Sequence, residues 1–218
     1  MNKFGLLSLA CLAWALLIAP GPWALAQPAA ELILPPRPAS AGMDLIQALE
    51  ARQSTRQFRA GKLGPADLSA ILWAADGVNR ADGRRTAPSA HGRRYLDIFL
   101  VGDEGTYIYD APGHKLILVN PANLKGELGS QAHAGAGSHL LVLVADLAHM
   151  GGSGEREYRF KNAAATAGCV AQNVYLMCAA RGVGTVIMAG MRPEEIRRGL
   201  KLAPSQEPLY IMPLGHKP

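Results

Sequence analysis

The segment from Glu155 to Arg181 constrains the fold more than any other. Apolar and small residues recur there at alternating steps of three and four: Phe160, Ala163 and Ala164, Ala167, Val170 and Ala171, Val174, Met177 and Cys178. That period predicts one long helix carrying an apolar stripe. The stripe is built mostly of small side chains, so another helix can approach it closely. Ser153 or Gly154 can cap the helix, Glu155 and Glu157 suit the positive end of its dipole, and Gly182-Val183-Gly184 ends it. No second helix of similar length is visible in the sequence. The stripe is therefore expected to meet its own copy in a homodimer rather than stay exposed on a monomer.

Around this helix the pattern is mixed. Asp44 to Arg52 reads as a short helix, and Pro65 opens a second that carries Leu68, Ile71, Leu72 and Ala75. Residues 79–94 form a basic loop containing Gly and Pro. Tyr95 to Val101 reads as a strand, and 106–109 with 115–119 as a hairpin about Ala111-Pro112-Gly113-His114. Pro121 to Leu128 is expected to be a short helix. Leu140 to Ala145 is a continuous apolar run, the mark of a strand buried on both faces. A strand at Thr185–Met188, a helix at Pro193–Leu200 and a strand at Pro208–Leu214 complete the series. Such irregular alternation predicts an α+β fold, a mixed sheet flanked by helices.

Lys3 precedes an apolar run from Phe4 to Leu25, and Ala24-Leu25-Ala26 resembles a small-x-small cleavage site. The run is about long enough to anchor the chain in a bilayer. Pro20-Gly21-Pro22 breaks it, which favours a cleaved signal peptide at residues 1–26 and an exported, periplasmic protein. Cleavage leaves about 190 residues, enough for one domain. Residues 27–41, with Pro28, Pro35, Pro36 and Pro38, read as an extended Pro/Ala-rich leader arm, and 42–218 as the folded domain. With 49% hydrophobic and 18% charged residues the chain can bury a core. Beyond the N-terminus there is no second long apolar segment, so no stable membrane span is expected after cleavage. Cys169 and Cys178 lie nine residues apart on one helix, about 13.5 Å along its axis. They cannot form a bond with each other and read as buried thiols.

Arg52-Gln53-Ser54-Thr55-Arg56 offers two guanidiniums and a hydroxyl at alternate positions, a pattern that can grip a phosphate on one side of an extended segment. Thr86-Ala87-Pro88-Ser89-Ala90 supplies small residues that let a flat ligand reach backbone atoms. Gly182-Val183-Gly184 follows a helix rather than a strand and is no dinucleotide fingerprint. The six histidines show no HExxH and no pairing with cysteine at metal spacing, so no metal is expected. GxSxG and P-loop signatures are absent. Arg80, Arg84, Arg85, Arg93 and Arg94 form a basic cluster without interleaved aromatics, which argues against nucleic acid.

Taken in order, these motifs carry a resemblance. Arg-x-Ser-x-Arg-x-Phe at 52–58 precedes Arg85-Thr86-Ala87-Pro88-Ser89-Ala90. Next come Arg159 to Leu176 with its Ala-rich Gln172-Asn173 stretch, then Gly182-Val183-Gly184-Thr185, then Glu207 to Gly215. The series resembles the nitroreductase superfamily over residues 43–216, and most closely the branch of azoline dehydrogenases of thiazole/oxazole peptide biosynthesis. The resemblance implies an FMN-dependent oxidoreductase, an intertwined homodimer with the flavin in a cleft between subunits, and the long helix at the dimer core. It implies that Arg52 and Ser54 hold the phosphate and ribityl chain, with Gln53 between them also in the cofactor-binding segment, and that Arg56 lies near the pyrimidine edge of the flavin. Pro88, Ser89 and Ala90 match a loop contributed by the partner subunit. Ala189 and Gly190 match the backbone facing the redox-active nitrogen, with Ala189 standing where many members carry Glu. Lys217 is the basic residue available after the last glycine.

Electrons would pass through FMN to or from a small organic or peptide substrate, with no catalytic side chain demanded. NAD(P)H is the family's usual donor. An exported enzyme would meet little of it, so a protein or quinone partner stands beside it. Without a twin-arginine pair, the flavin would be acquired after export. The alternative is an exported flavin- or small-ligand-binding protein without turnover.

Overall fold

The computed structural model of the chain describes residues 30–150 and 155–218. The expected signal peptide at 1–26 and the capping candidates Ser153 and Gly154 lie outside the described residues. The elements in chain order are β1 (Glu31–Ile33), α1 (Leu45–Ala51), α2 (Pro65–Asp76), β2 (Leu96–Gly102), β3 (Gly105–Asp110) and β4 (Lys115–Asn120). They are followed by α3 (Lys125–Leu128), β5 (His139–Asp146), α4 (Arg156–Ala180), β6 (Val183–Thr185), α5 (Pro193–Gly199) and β7 (Gln206–His216). The expected α+β architecture is present. Seven strands form one sheet in the order β1-β4-β3-β2-β5-β7-β6, and every pairing is antiparallel.

β5 is central in register and in chemistry. Leu141, Leu143 and Ala145 join a core shared with α2 and α4, whereas Leu140, Val142 and Val144 join a second core with α3 and α5. Successive side chains of a strand point to opposite faces, so an unbroken apolar run is what a sheet covered on both sides requires.

The covering of α4 differs from the expectation. Ala163, Ala167, Val170, Ala171, Val174 and Cys178 are buried within a single chain, in the core containing Ile71 and Leu72 of α2 together with the sheet residues Leu143, Met212 and Leu214. The small stripe lets α4 lie close on its own subunit. Phe160 drops off the stripe and is 43% exposed. The opposite face of α4, with Ala165, Gly168, Cys169 and Gln172, is the exposed one. Cys178 is accordingly buried, but Cys169 is not, contrary to the reading of two buried thiols.

Three local boundaries also move. Only Lys125–Leu128 is helical in the 121–128 stretch, because Asn120 and Asn123 accept from the N–H groups of Ala122 and Lys125 at 2.9 and 3.2 Å. These side-chain acceptors offer the backbone an alternative to the helix. Gly182, at φ +67°, alone closes α4, and Val183–Thr185 already form β6, with Met188 bridged separately to Ile211. Within the arm, Glu31–Ile33 pair with β4, and Ser69 Oγ, at the centre of α2, donates to the Pro35 carbonyl at 2.7 Å.

His139, at the start of β5, is held neutral. Burial, with Lys125 nearby adding to it, pushes its pKa down to about 4, and Ser138 Oγ lies 3.0 Å from Nδ1. The unfolded chain protonates this ring near its ordinary value of about 6.5. Between those values the unfolded state binds the extra proton. Stability should therefore fall as the pH drops from about 6.5 to 4, by at most about 3 kcal/mol. Urea titrations at pH 7 and pH 4.5 should show a smaller loss for His139→Gln than for the wild type.

Candidate functional site

After α1 ends, the chain runs extended beside β6. Thr55 is buried, and its N–H donates to the Thr185 carbonyl at 2.8 Å, while Gln53, Ser54 and Arg56 are exposed. Gly184 makes this approach possible: a Cβ there would sit 2.7 Å from the Thr55 methyl and 3.2 Å from the Phe58 ring. Farther along, Arg59 donates to the carbonyls of His216 and Lys217, at 3.0 Å from its N–H and 2.9 Å from Nε. The Arg52–Arg56 segment and Lys217 therefore share the β6–β7 edge of the sheet.

Tyr175 joins this edge to the rest of the site. Its hydroxyl lies 3.0 Å from Ser54 Oγ and accepts from the Ile187 N–H at 2.9 Å. The Arg52 guanidinium stands over its ring, 5.2 Å from the centroid, in cation–π contact. One buried side chain thus ties α4 to the Arg52 segment and to the stretch leading to Ala189 and Gly190. Sequence reasoning left Tyr175 without a role. The available signal was a phenol on the buried face of a helix, where the hydroxyl has to find a partner.

Gly190 has firm backing. Its carbonyl accepts from the Ser130 N–H at 3.1 Å, and a Cβ would meet Ser130 Oγ at 3.0 Å and the Gln131 amide nitrogen at 3.1 Å. Among the described residues its own N–H has no acceptor. Ala189 beside it is exposed. Arg52 and Arg56 have no carboxylate partner among the described residues. Two uncompensated guanidiniums, a hydroxyl and a free backbone donor suit a ligand with an anionic tail and a hydrogen-bond-accepting ring. These residues fit FMN.

Pro88, Ser89 and Ala90 lie elsewhere. The Ala90 N–H donates to the Tyr95 hydroxyl at 3.0 Å, which lies 2.7 Å from Thr166 Oγ1 of α4. Thr166 and Tyr175 are nine residues apart, about 13 Å along the helix. Pro88 and Ser89 line a cavity of about 600 Å³ that includes none of Arg52, Ser54, Arg56, Ala189, Gly190 or Lys217. A single chain therefore carries two separate groups of candidate residues.

Known proteins share this arrangement of elements. The nitroreductase family model matches residues 49–216. A candidate nitroreductase of Methanocaldococcus jannaschii is 32% identical over 188 residues, covering 79% of this chain and 91% of that protein. The crystal structure of a candidate nitroreductase from Ralstonia eutropha JMP134 is 34% identical with a TM-score of 0.81, over 88% of this chain and 94% of that one. The E. coli microcin synthetase complex with truncated pro-MccB17 bound is similar in fold, at 17% identity and a TM-score of 0.65, over 85% of this chain and 78% of that one. With the matched region running from α1 through Tyr175 and Gly190 to the end of β7, the chain belongs to the nitroreductase family.

Proposed function

We propose that the protein is an FMN-dependent oxidoreductase whose site is completed by a second copy of the chain. The observation that carries this reading is the Tyr175 junction, which holds Arg52, Ser54 and the approach to Gly190 around one uncompensated basic surface. Arg52 and Ser54 bind the phosphate and ribityl chain, Arg56 and Lys217 add positive charge, and the Gly190 N–H donates to the ring. Bound FMN would supply the hydride and electron transfer, which demands no nucleophile or general base from the chain.

A two-fold contact across the outer face of α4 explains the separation of the two groups. Ala165, Gly168, Cys169 and Gln172 lie around the middle of that helix and are exposed. A two-fold axis there sets the Thr166 region of one copy near the Tyr175 region of the other, bringing Pro88, Ser89 and Ala90 to the partner's flavin. On α1, Leu45, Ile46 and Leu49 are 62%, 64% and 46% exposed, an apolar face that a second copy would cover.

The substrate is a small organic molecule or a modified peptide, the latter following the azoline-dehydrogenase resemblance. Export from a signal at 1–26 belongs to the same proposal, and mass spectrometry of the mature protein should find Gln27 first. Anaerobic titration with NADH and NADPH tests turnover. Bleaching of bound flavin followed by reoxidation with a nitroaromatic or quinone acceptor is expected. Flavin that neither donor reduces, with dithionite alone effective, would instead support a binding protein or a dedicated protein donor.

A further inference from the structure

The arginine loop folds into a defined structure. Asn79 donates from its N–H to the Arg84 carbonyl at 3.0 Å, Gly83 to Arg80 at 2.9 Å and Thr86 to Gly77 at 3.0 Å, and Val78 bridges Arg85. Gly83, at φ +78°, supplies the left-handed turn residue. With Tyr95 and Thr166 at its back, this hairpin walls the 600 Å³ cavity beside Pro88 and Ser89.

The cavity is strongly positive. Arg80, Arg84, Arg85, Arg93 and Arg94 line it with two carboxylates, Asp76 and Asp82, which leaves an excess of three positive charges. Asp82 pairs with Arg84 at 3.2 Å and Asp76 with Arg85 at 2.9 Å. Arg80 and Arg94 are fixed differently. Arg80 donates to the Arg85 carbonyl and to Asn79 Oδ1, both at 3.1 Å, and Arg94 donates to the Gly83 carbonyl at 2.5 Å. A neutral acceptor orients a guanidinium without cancelling its charge, so these two forks are preorganised, and among the described residues neither forms a salt bridge, although Arg94 feels the field of Asp76. Arg85 Nε is buried on the same wall and has no hydrogen-bond partner among the described residues. Arg80, Arg84, Arg93 and Arg94 are exposed at the mouth of the cavity and Arg85 is half-buried in its wall, so a ligand can reach all five, and a merely solvated basic face would not need the fixed orientation of Arg80 and Arg94.

We propose that this cavity binds the phosphate or pyrophosphate group of an organic molecule that exchanges electrons at the neighbouring site. This assignment rests on the oxidoreductase reading and names the substrate class that reading leaves open. Planar guanidiniums meet phosphate oxygens bidentately, and the volume suits an organic phosphate with a body beyond its head group. The source of the group is either the adenosine phosphate of a nicotinamide donor or a phosphorylated acceptor.

The test is calorimetric titration of the purified, flavin-loaded protein with inorganic pyrophosphate at low salt. Wild type should bind it, and the double variant Arg80→Gln, Arg94→Gln should bind at least tenfold more weakly with its flavin content unchanged. The double variant Arg80→Lys, Arg94→Lys should recover part of the loss, which separates lost charge from a collapsed hairpin. Arg198→Ala, which removes an exposed arginine outside the cavity, should change affinity less than twofold. Flavin reduction then separates the sources: a KM rise for NADPH alone assigns the group to the donor's 2′-phosphate, a rise for both NADPH and NADH assigns it to the donor's pyrophosphate, and no rise for either assigns it to the acceptor. Equal pyrophosphate affinity in wild type and the Gln variant overturns the proposal. So does loss of FMN from that variant, which would make the cavity the cofactor's own phosphate site. Protein that carries no FMN at all would sink the oxidoreductase reading alone, because the pyrophosphate titration still reports on the cavity.

Discussion

Ala167→Arg should abolish the folded subunit. Ala167 is fully buried, in a core with Val170, Ala171, Ile71 and Leu143. An arginine there overfills a close-packed region and buries a charge among apolar neighbours. Overpacking alone costs about 1–3 kcal/mol, and an unpaired buried charge adds several more. That sum reaches the whole stability of a typical domain, about 5–15 kcal/mol. Insoluble expression, or loss of the cooperative thermal transition by circular dichroism, is the expected readout. Ala165→Arg is the informative companion. Ala165 lies on the exposed face of α4, so that variant should keep the monomer fold and weaken self-association. Two substitutions two residues apart on one helix thus separate folding from assembly. A soluble, folded Ala167→Arg protein would contradict the burial of Ala167 in the core between α4, α2 and the sheet.

Arg52→Ala should release FMN. A charged donor to a phosphate contributes roughly 1.5–3 kcal/mol, about ten- to a hundredfold in affinity. Among the described residues Arg52 has no ion pair that would compete with the phosphate, and its stacking on Tyr175 fixes where the guanidinium stands. Tyr175→Phe keeps the ring and removes the hydroxyl that meets Ser54 and the Ile187 N–H. It should weaken FMN less than Arg52→Ala does. Equilibrium dialysis of apoprotein with FMN, followed at 450 nm, measures both. Unchanged affinity in Arg52→Ala would remove that residue from the site.

The sequence made those parts legible that repeat with a local period. The run from Leu140 to Ala145 announced a strand covered on both faces, and the three–four spacing of α4 announced its length and its apolar stripe. What covers that stripe was not legible. Small residues state that something approaches closely, and the partners, α2 and the sheet, come from distant parts of the chain. The three-residue β1 is too short to show an alternation and exists through its pairing with β4. Asn120 and Asn123 shortened α3 by side-chain bonds that no apolar period reveals. The candidate residues at 52–56 were readable as an anion grip, because charge and spacing sit in one pentapeptide. Their connection to Gly190 was not, since it runs through a tyrosine more than 100 residues away in sequence. The basic loop was visible as composition. The back wall of its cavity is Tyr95 and Thr166, which the hairpin meets only in the folded chain.

Sedimentation velocity of the purified wild type, recorded at both 280 and 450 nm, tests most directly the claim that one flavin site is built by two chains. The 450 nm signal should travel with a single species of twice the chain mass, near one FMN per chain, and Ala165→Arg should lose that signal as it shifts to monomer. Flavin absorbance sedimenting with a monomer would contradict the shared site, and a colourless dimer would contradict the cofactor.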